Sequence, residues 1–183
     1  MYNGFMALKP QDVYVLLKIL ATGPNRAPYS QLASELVMSA SEVHACVKRA
    51  QVSQLLHGPG LQNRPNIAAM EEFLFHSLKY VFPVERGGLT RGIATSYAAE
   101  PLLSLIAQGS EPIPVWPYEA GKQRGLAFAP LYKTAPRAAL RDPIFYEYLI
   151  LADSLRDGRV RERKIAEREL RRRLQEVSAQ LQS

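Results

Sequence analysis

The chain contains a single cysteine, Cys46, which excludes an intramolecular disulfide and a zinc site made of several cysteines. A chain without disulfides suits a reducing compartment. No run of about 18 apolar residues is present, and the first residues lack the basic and then apolar order of a secretory signal peptide. We therefore expect a cytoplasmic protein without a membrane segment, in which Cys46 is a small core residue.

Residues for catalysis or metal binding are also scarce. The three histidines, His44, His57 and His76, lie far apart and lack the spacing of a metal site. The sequence has no nucleophile elbow, phosphate loop or pair of carboxylates in an apolar run. A site assembled from distant residues would leave no such motif, but the sequence favours a protein that is not an enzyme and needs no cofactor or metal.

Positive charge is plentiful by comparison. The net charge is +6 and the pI is near 9.5. Lys and Arg side chains that face phosphates release counterions, so this balance favours a polyanionic partner. The 183 residues, 47% of them hydrophobic, are enough for one ordinary domain or for a small domain with an appendage.

Residues 29–56 predict two short helices joined by a tight link at residues 37–40. In the first, Ser30 lies where a cap is expected, and a stripe contains Leu32, Ala33 and Leu36. The tetrapeptide at residues 39–42, Ser-Ala-Ser-Glu, has the form of a capping box, so the second helix should begin near Ala40. Its buried stripe, at i, i+3, i+4 and i+7, consists of Val43, Cys46, Val47 and Ala50.

The rest of the second helix predicts an outward face of small, polar and basic side chains. A helix that enters the major groove of DNA needs such a face. Any two-helix hairpin in a bundle shows similar stripes and caps, but the tight link and the alanine at the fifth position of the first helix favour DNA reading. The residues on this face are Ser39, Ser41, His44, Ala45, Lys48, Arg49 and Gln51.

The segment YSQLASELVMSASEVHACVKRAQVSQLL, from Tyr29 to Leu56, resembles the winged helix-turn-helix transcriptional regulators of bacteria, most closely the MarR-type domains. A phrase of the form YSELAxxLxxSxSxVxxxLKRLxxxGLL is common in that family. The chain departs from it at Val47 and Ala50, which are smaller than the usual leucine pair, and at residues 53–54, where Ser-Gln replaces Ala-Gly. The resemblance implies a winged helix-turn-helix over residues 1–82.

On this interpretation the helix from Ala40 to Gln54 lies in the major groove of double-stranded DNA. The groups that would read bases or phosphates belong to Ser39, Ser41, His44 and Lys48, with Ala45 beside them. The groups that would hold the backbone belong to Gln31, Arg49 and Arg64. A wing would come from residues 57–65, HGPGLQNRP, a short Gly/Pro turn with no alternating strand pattern beside it.

Two more helices are predicted in the N-terminal zone. Residues 11–21 carry Val13, Leu16, Leu17 and Leu20 on one face and should form a support helix. Residues 66–81 should form another, with Ile67, Met70, Leu74 and Leu78 buried. Phe73, Phe75, Tyr80 and Phe82 make that helix apolar over more than one stripe, so the partner subunit or the rest of the chain should cover it.

The middle zone, residues 83–141, contains seven prolines and most of the glycines, without a sustained helical or alternating period. We expect an ordered, extended segment that wraps the helices. Its stretch VERGGLTRGI combines Gly87, Gly88 and Gly92 with Arg86 and Arg91 and could be a phosphate cradle. The spacing matches no phosphate-binding fingerprint, so a structured loop is favoured.

Residues 142–183 predict C-terminal helices. Asp142 followed by Pro143 is a helix start, with Phe145, Tyr148, Leu149, Ala152 and Leu155 on one face. The last helix should begin near Arg159, and its apolar seam, suited to pairing, consists of Leu170, Leu174, Val177 and Leu181. Its mixed charges indicate a solvated face, and contact of Arg171, Arg172 and Arg173 with DNA is the less favoured alternative.

Together these patterns predict a mainly helical homodimer with an N-terminal winged helix-turn-helix, a Pro/Gly-rich extended segment and C-terminal helices, acting as a sequence-specific DNA-binding regulator. The alternative is an antitoxin-like protein whose N-terminal domain binds DNA to regulate its own gene, while residues 83–141 bind and neutralise a protein partner. In that alternative Trp116 and Tyr118 would be exposed anchors. In a simple regulator Trp116 would be buried, which is the outcome we expect.

Overall fold

The computed structural model describes residues 7–24, 27–58 and 63–182, and helices dominate them. The N-terminal part contains α1 (Pro10–Thr22), α2 (Tyr29–Leu36) and α3 (Ala40–Val52). α1 corresponds to the predicted support helix, and the four apolar residues predicted on its face are buried. α2 and α3 are the two short helices that the sequence predicts. The prediction of a mainly helical fold is confirmed.

Two details at the ends of these helices differ from the predictions. Pro28, not Ser30, is the N-cap of α2, and no side chain caps this helix. Proline suits the position because its φ is already fixed near the helical value. α3 ends at Val52 rather than Gln54, because Ser53 leaves the helix and Gln54 adopts a positive φ of 59°.

A short antiparallel strand pair follows α3. β1 (Leu56–His57) pairs with β2 (Arg64–Pro65), with Leu56 opposite Pro65 and His57 opposite Arg64. The sequence indicated only a turn here, because a strand of two residues is too short to show an alternation of apolar and polar side chains. The tip of the predicted wing, residues 59–62, lies outside the described residues.

The helix predicted over residues 66–81 is present as α4 (Ile67–Glu72), a π-helical segment (Phe73–Ser77) and α5 (Leu78–Val81). Asn66 caps it, since its side-chain oxygen accepts a hydrogen bond from the backbone N–H of Ala69 at 3.3 Å. The guanidinium of Arg171 lies 4.7 Å from the ring centroid of Phe75. The rest of the chain thus covers part of the aromatic surface, while Tyr80 remains 73% exposed.

The middle zone folds into a small sheet. β3 (Arg86–Ala94) pairs antiparallel with β4 (Pro114–Pro117) and with β5 (Gln123–Phe128), and β4 pairs parallel with β5, which closes the three strands into a barrel. A 3₁₀ turn (Ser96–Ala98) follows β3. The prediction that these residues form an extended segment wrapped around the helices is therefore wrong. The first half of β3 is solvent-exposed and contains glycines, so it carries no alternating apolar signal.

Two glycines make this closure possible because neighbouring backbone approaches them closely. A Cβ at Gly92 would lie 2.0 Å from the carbonyl oxygen of Trp116. A Cβ at Gly125 would lie 2.0 Å from the carbonyl oxygen of Ile113. Any larger residue at either position would therefore push the strands apart.

The C-terminal zone contains α6 (Ala135–Ala139), α7 (Pro143–Asp157) and α8 (Val160–Gln182). The predicted start of α7 is confirmed: the Asp142 carboxylate accepts a hydrogen bond from the backbone N–H of Phe145 at 3.0 Å. α7 is buried on nearly every side, including Asp153 and Arg156. It is the central helix of the molecule and packs against α1, α5, α6 and α8.

The apolar seam of α8 lies against its own chain. Leu170 and Leu174 are fully buried and Val177 is 6% exposed, because α8 packs on α7 and α4. The prediction that this seam pairs with a second copy is therefore wrong. The arginines at positions 171–173 each form ion pairs with carboxylates of the same chain, as expected for a solvated face of mixed charge.

One continuous core joins all three zones, with buried residues from α1 through α8. The buried ammonium of Lys18 on α1 adds a polar link, at 2.6 Å from both Glu35 of α2 and Asp142 of the α7 cap. Among the described residues, no helix combines the length and the apolar character needed to cross a membrane.

Candidate nucleic-acid interface

The start of α3 is held by the predicted capping box. The backbone N–H of Ser39 donates to a Glu42 carboxylate oxygen at 3.0 Å, and the backbone N–H of Glu42 donates to the Ser39 hydroxyl at 3.2 Å. The bond from the Ser39 backbone N–H, together with a second bond that the Ser39 hydroxyl donates to the same carboxylate at 2.9 Å, lowers the pKa of Glu42. The carboxylate is thus held in its charged form at the N-terminal end of the helix, where a negative charge is favourable.

The inner side of α3 matches its predicted stripe. Val43, Cys46, Val47 and Ala50 are at most 2% exposed. Burial raises the pKa of the Cys46 thiol to about 12, so this cysteine is a protonated core residue rather than a nucleophile.

Arg49 lies on this inner side, which contradicts the prediction that it holds the DNA backbone. Its guanidinium donates two hydrogen bonds to the fully buried carboxylate of Asp12 on α1, at 2.8 and 2.6 Å. The bond with Asp12 raises the pKa of Arg49. Arg49 is only 8% exposed, and its guanidinium binds Asp12 through both Nε and Nη2, so in this structure it is not available to a phosphate.

The outer side of α3 presents the polar residues that the sequence predicted. Ser39, Ser41, His44 and Lys48 are exposed, and Ala45 is half-buried beside them. The hydroxyl oxygens of Ser39 and Ser41 lie 3.1 Å apart. Tyr29 of α2 packs edge-on against the His44 imidazole, with ring centroids 5.7 Å apart, and so limits the positions of that ring. Lys48 forms no ion pair with any described residue.

The two other predicted contact residues lie on α2, which packs against α3, and on β2, which pairs with the strand β1 that packs against α3. Gln31 is exposed on α2, where its amide donates to the Glu35 carboxylate at 2.9 Å. Arg64 is exposed on β2, opposite His57. Both residues are therefore exposed, although the amide of Gln31 already has a partner.

Hydrogen bonds fix the strand pair against α3. The side chain of Gln51 donates to the backbone oxygen of Gly58 at 2.7 Å and to the side chain of Asn63. Asn63 in turn donates to the Tyr29 hydroxyl at 3.0 Å. This set connects α2, α3 and the strand pair, so Gln51, predicted only as an outward residue, has a positioning role.

The loop that leaves β5 also reaches the start of α3. The Tyr132 hydroxyl donates to Glu42 at 2.9 Å, and the Thr134 hydroxyl donates to the backbone oxygen of Leu36 at 2.8 Å. Tyr14 donates to the same oxygen at 3.1 Å. Sequence reasoning missed the contacts of this loop because they join residues about a hundred positions apart. They hold the link between α2 and α3, where Val37 has a left-handed φ of 55° that is rare for a β-branched residue.

Trp116 is buried, as we expected for a simple regulator. It is 1% exposed, and its indole N–H donates to the Asp153 carboxylate at 2.7 Å. Thr95 and Arg156 donate to the same carboxylate at 2.7 and 2.8 Å. Burial raises the pKa of Asp153, while the charge of Arg156 opposes that rise. Trp116 therefore anchors β4 to α7 and offers no exposed surface to a protein partner.

Within the residues that the structure describes, no group of three or more His, Cys, Asp or Glu side chains is placed to hold a metal ion. Comparisons of the chain with protein-family models, with curated proteins and with solved structures gave no match.

Proposed function

We propose that this chain is a sequence-specific double-stranded DNA-binding protein of the MarR-like winged helix-turn-helix kind and acts as a transcriptional regulator in the bacterial cytoplasm. The observation that supports this most is the outer side of α3. It is a capped, firmly positioned helix face with small, polar and cationic side chains, among them a lysine that pairs with no described carboxylate.

In this proposal α3 enters the major groove. Ser41, His44 and Lys48 follow one another at helical spacing, so they form a stripe about 10 Å long at 1.5 Å per residue. A stripe of that length faces about three base pairs at a rise near 3.4 Å. Lys48 would donate to guanine, while the imidazole of His44 and the serine hydroxyls would contact base edges or the nearest phosphates.

Phosphate contacts on both sides would fix the position of α3. Gln31 on α2 and Arg64 on the strand pair are exposed and would make these contacts, and the strand pair would act as the wing. Lys133, in the loop after β5, is exposed and near enough to Glu42 to lower the pKa of that residue. It would replace Arg49 as a cation beside the N-terminal end of α3.

We also propose a two-fold homodimer, which would place two α3 helices about 34 Å apart on a palindromic site. The surface that supports this is the end of α5. Tyr80 is 73% exposed and Val81 is 49% exposed, next to the partly buried Phe73 and Phe82.

The test compares a duplex from the region upstream of the gene with a random duplex of equal length and composition. Fluorescence anisotropy at several salt concentrations would measure both affinities. We expect both to weaken with salt, with the upstream fragment bound about 10³-fold or more tightly throughout, as specific readers do. Equal affinities at every salt concentration, for this duplex and for duplexes enriched from a random library, would contradict the proposal.

A further inference from the structure

The barrel carries a group of cations that lack carboxylate partners among the described residues. We call the exposed side chains of Arg91, Lys122 and Arg124 the barrel patch. Arg91 on β3 and Arg124 on β5 are direct partners in the antiparallel register. Directly opposed side chains on such strands have Cβ atoms about 5 Å apart, so the two guanidinium groups share one face of the sheet.

The barrel patch contrasts with those arginines of the chain that form ion pairs. Arg86, on the same strand as Arg91, pairs with Asp157. The arginines at positions 168 and 171–173 of α8 pair with glutamates. Arg91, Lys122 and Arg124 form no ion pair with any described residue. Glu119 lines the adjacent groove beside Arg91, but it lies beyond ion-pair distance of all three.

Two like charges directly opposite each other destabilise an antiparallel pair. An anion bound between them would remove that cost. The surroundings suit a phosphate, because all three cations line one open groove. Guanidinium groups bind phosphate oxygens through two parallel N–H bonds, which makes arginine pairs effective phosphate ligands.

We propose that the barrel patch binds phosphate groups of a DNA duplex backbone, independently of sequence and in addition to the contacts of α3. This inference rests on the proposed function for the identity of the polyanion. The excess of positive charge in the whole chain favours nucleic acid over an acidic protein segment. The stretch VERGGLTRGI thus contributes to a phosphate site, but through a strand pair rather than through a glycine-rich loop.

The experiment measures binding of a random-sequence duplex, for which base reading by α3 contributes nothing. Log affinity against log salt would be compared for the wild type and for Arg91→Ala/Arg124→Ala. Removal of one phosphate-binding cation should reduce the magnitude of the slope by about 0.9, so the slope of the double variant should be smaller by about 1.8. Removing the like-charge pair should leave thermal stability unchanged or higher, so loss of folding is not expected.

Two further variants make the result specific. Arg161→Ala/Lys164→Ala removes two exposed cations of α8 that pair with no described carboxylate, and it should keep the wild-type slope. Arg91→Lys/Arg124→Lys keeps the charge and should restore most of the slope. A wild-type slope in the folded Arg91→Ala/Arg124→Ala variant would overturn the proposal. The proposal would also be overturned if the wild type bound no random duplex. Displacement of the duplex by polyglutamate at equal charge would overturn it too, because that result would indicate an acidic protein partner.

The outcomes separate this proposal from the function of α3. If the barrel patch does not bind DNA but α3 does, the slope of the double alanine variant equals that of the wild type, while preference for an enriched site depends on His44 and Lys48. If the barrel patch binds DNA but α3 does not read bases, the magnitude of the slope falls in the double alanine variant, while the wild type prefers no site.

Discussion

At the scale of single residues, Lys48 and Arg49 are adjacent on α3 but lie in opposite environments. Lys48 is exposed and pairs with no described carboxylate, whereas Arg49 is buried with its fork on the Asp12 carboxylate. The helical period places position 49 between Cys46 and Ala50, at the edge of the buried stripe. The spacing led us to predict that Arg49 faces outward, because the partner that holds it inward is 37 residues away. The sequence could therefore predict a cation at this position but not its burial.

We expect Arg49→Ala to lower the free energy of unfolding by about 3–5 kcal/mol, because it leaves the Asp12 charge buried without a partner. Urea unfolding monitored by circular dichroism would measure this. Lys48→Ala is the matched control and should change stability by less than about 0.5 kcal/mol. If Arg49→Ala were as stable as the wild type but bound DNA more weakly, Arg49 would belong to the interface after all.

At the scale of elements, local patterns predicted the helices well and the sheet poorly. The Ser39 box, the Asp142 cap and the stripes of α1, α3 and α7 all involve residues within a few positions of one another. The strands of the barrel pair across tens of positions, and β3 shows no alternation that would mark it. The sequence predicted an apolar seam on α8. The spacing of its residues shows that one face is buried, but it does not show whether α7 or a second copy of the chain covers that face.

The cap of α3 gives a test that separates positioning from contact. Ser39 caps the helix, whereas the Ser41 hydroxyl lies against the Ser39 hydroxyl and takes no part in the capping box. Ser39→Ala should lower the free energy of unfolding by about 0.5–2 kcal/mol and also weaken DNA binding. Ser41→Ala should weaken DNA binding at nearly constant stability. Thermal unfolding and anisotropy on the same samples would show this, and a Ser41→Ala variant destabilised as much as Ser39→Ala would refute the distinction.

At the scale of the whole molecule, the positions of the charges matter more than their sum. The buried pairs Arg49–Asp12 and Arg156–Asp153 and the pairs along α8 neutralise many of the cations. The cations that pair with no described carboxylate include Lys48 on α3, Arg64 on the strand pair and the barrel patch. Composition predicted a polyanionic partner, but only the folded chain shows which cations are available to meet one.

The oligomeric state can also be tested at this scale. We expect light scattering to give twice the monomer mass of 20.5 kDa at micromolar concentration. Tyr80→Glu should yield a folded monomer, because this side chain is exposed and its charge would enter the proposed interface. Leu174→Glu should unfold the chain, since Leu174 is fully buried within it. A wild type with the monomer mass would contradict the dimer, and a dimeric Tyr80→Glu variant would move the interface elsewhere.

The most direct test of the central claim is the preference of a His44→Ala/Lys48→Ala variant for a duplex enriched from a random library, measured against a random duplex. The matched control, His76→Ala/Lys164→Ala, removes the same two residue types from exposed positions outside α3. We expect the α3 variant to unfold like the wild type and to lose at least about tenfold in preference, since each base contact contributes about 1–3 kcal/mol. The control should keep the wild-type preference. An unchanged preference in the folded α3 variant would contradict the claim that α3 reads DNA.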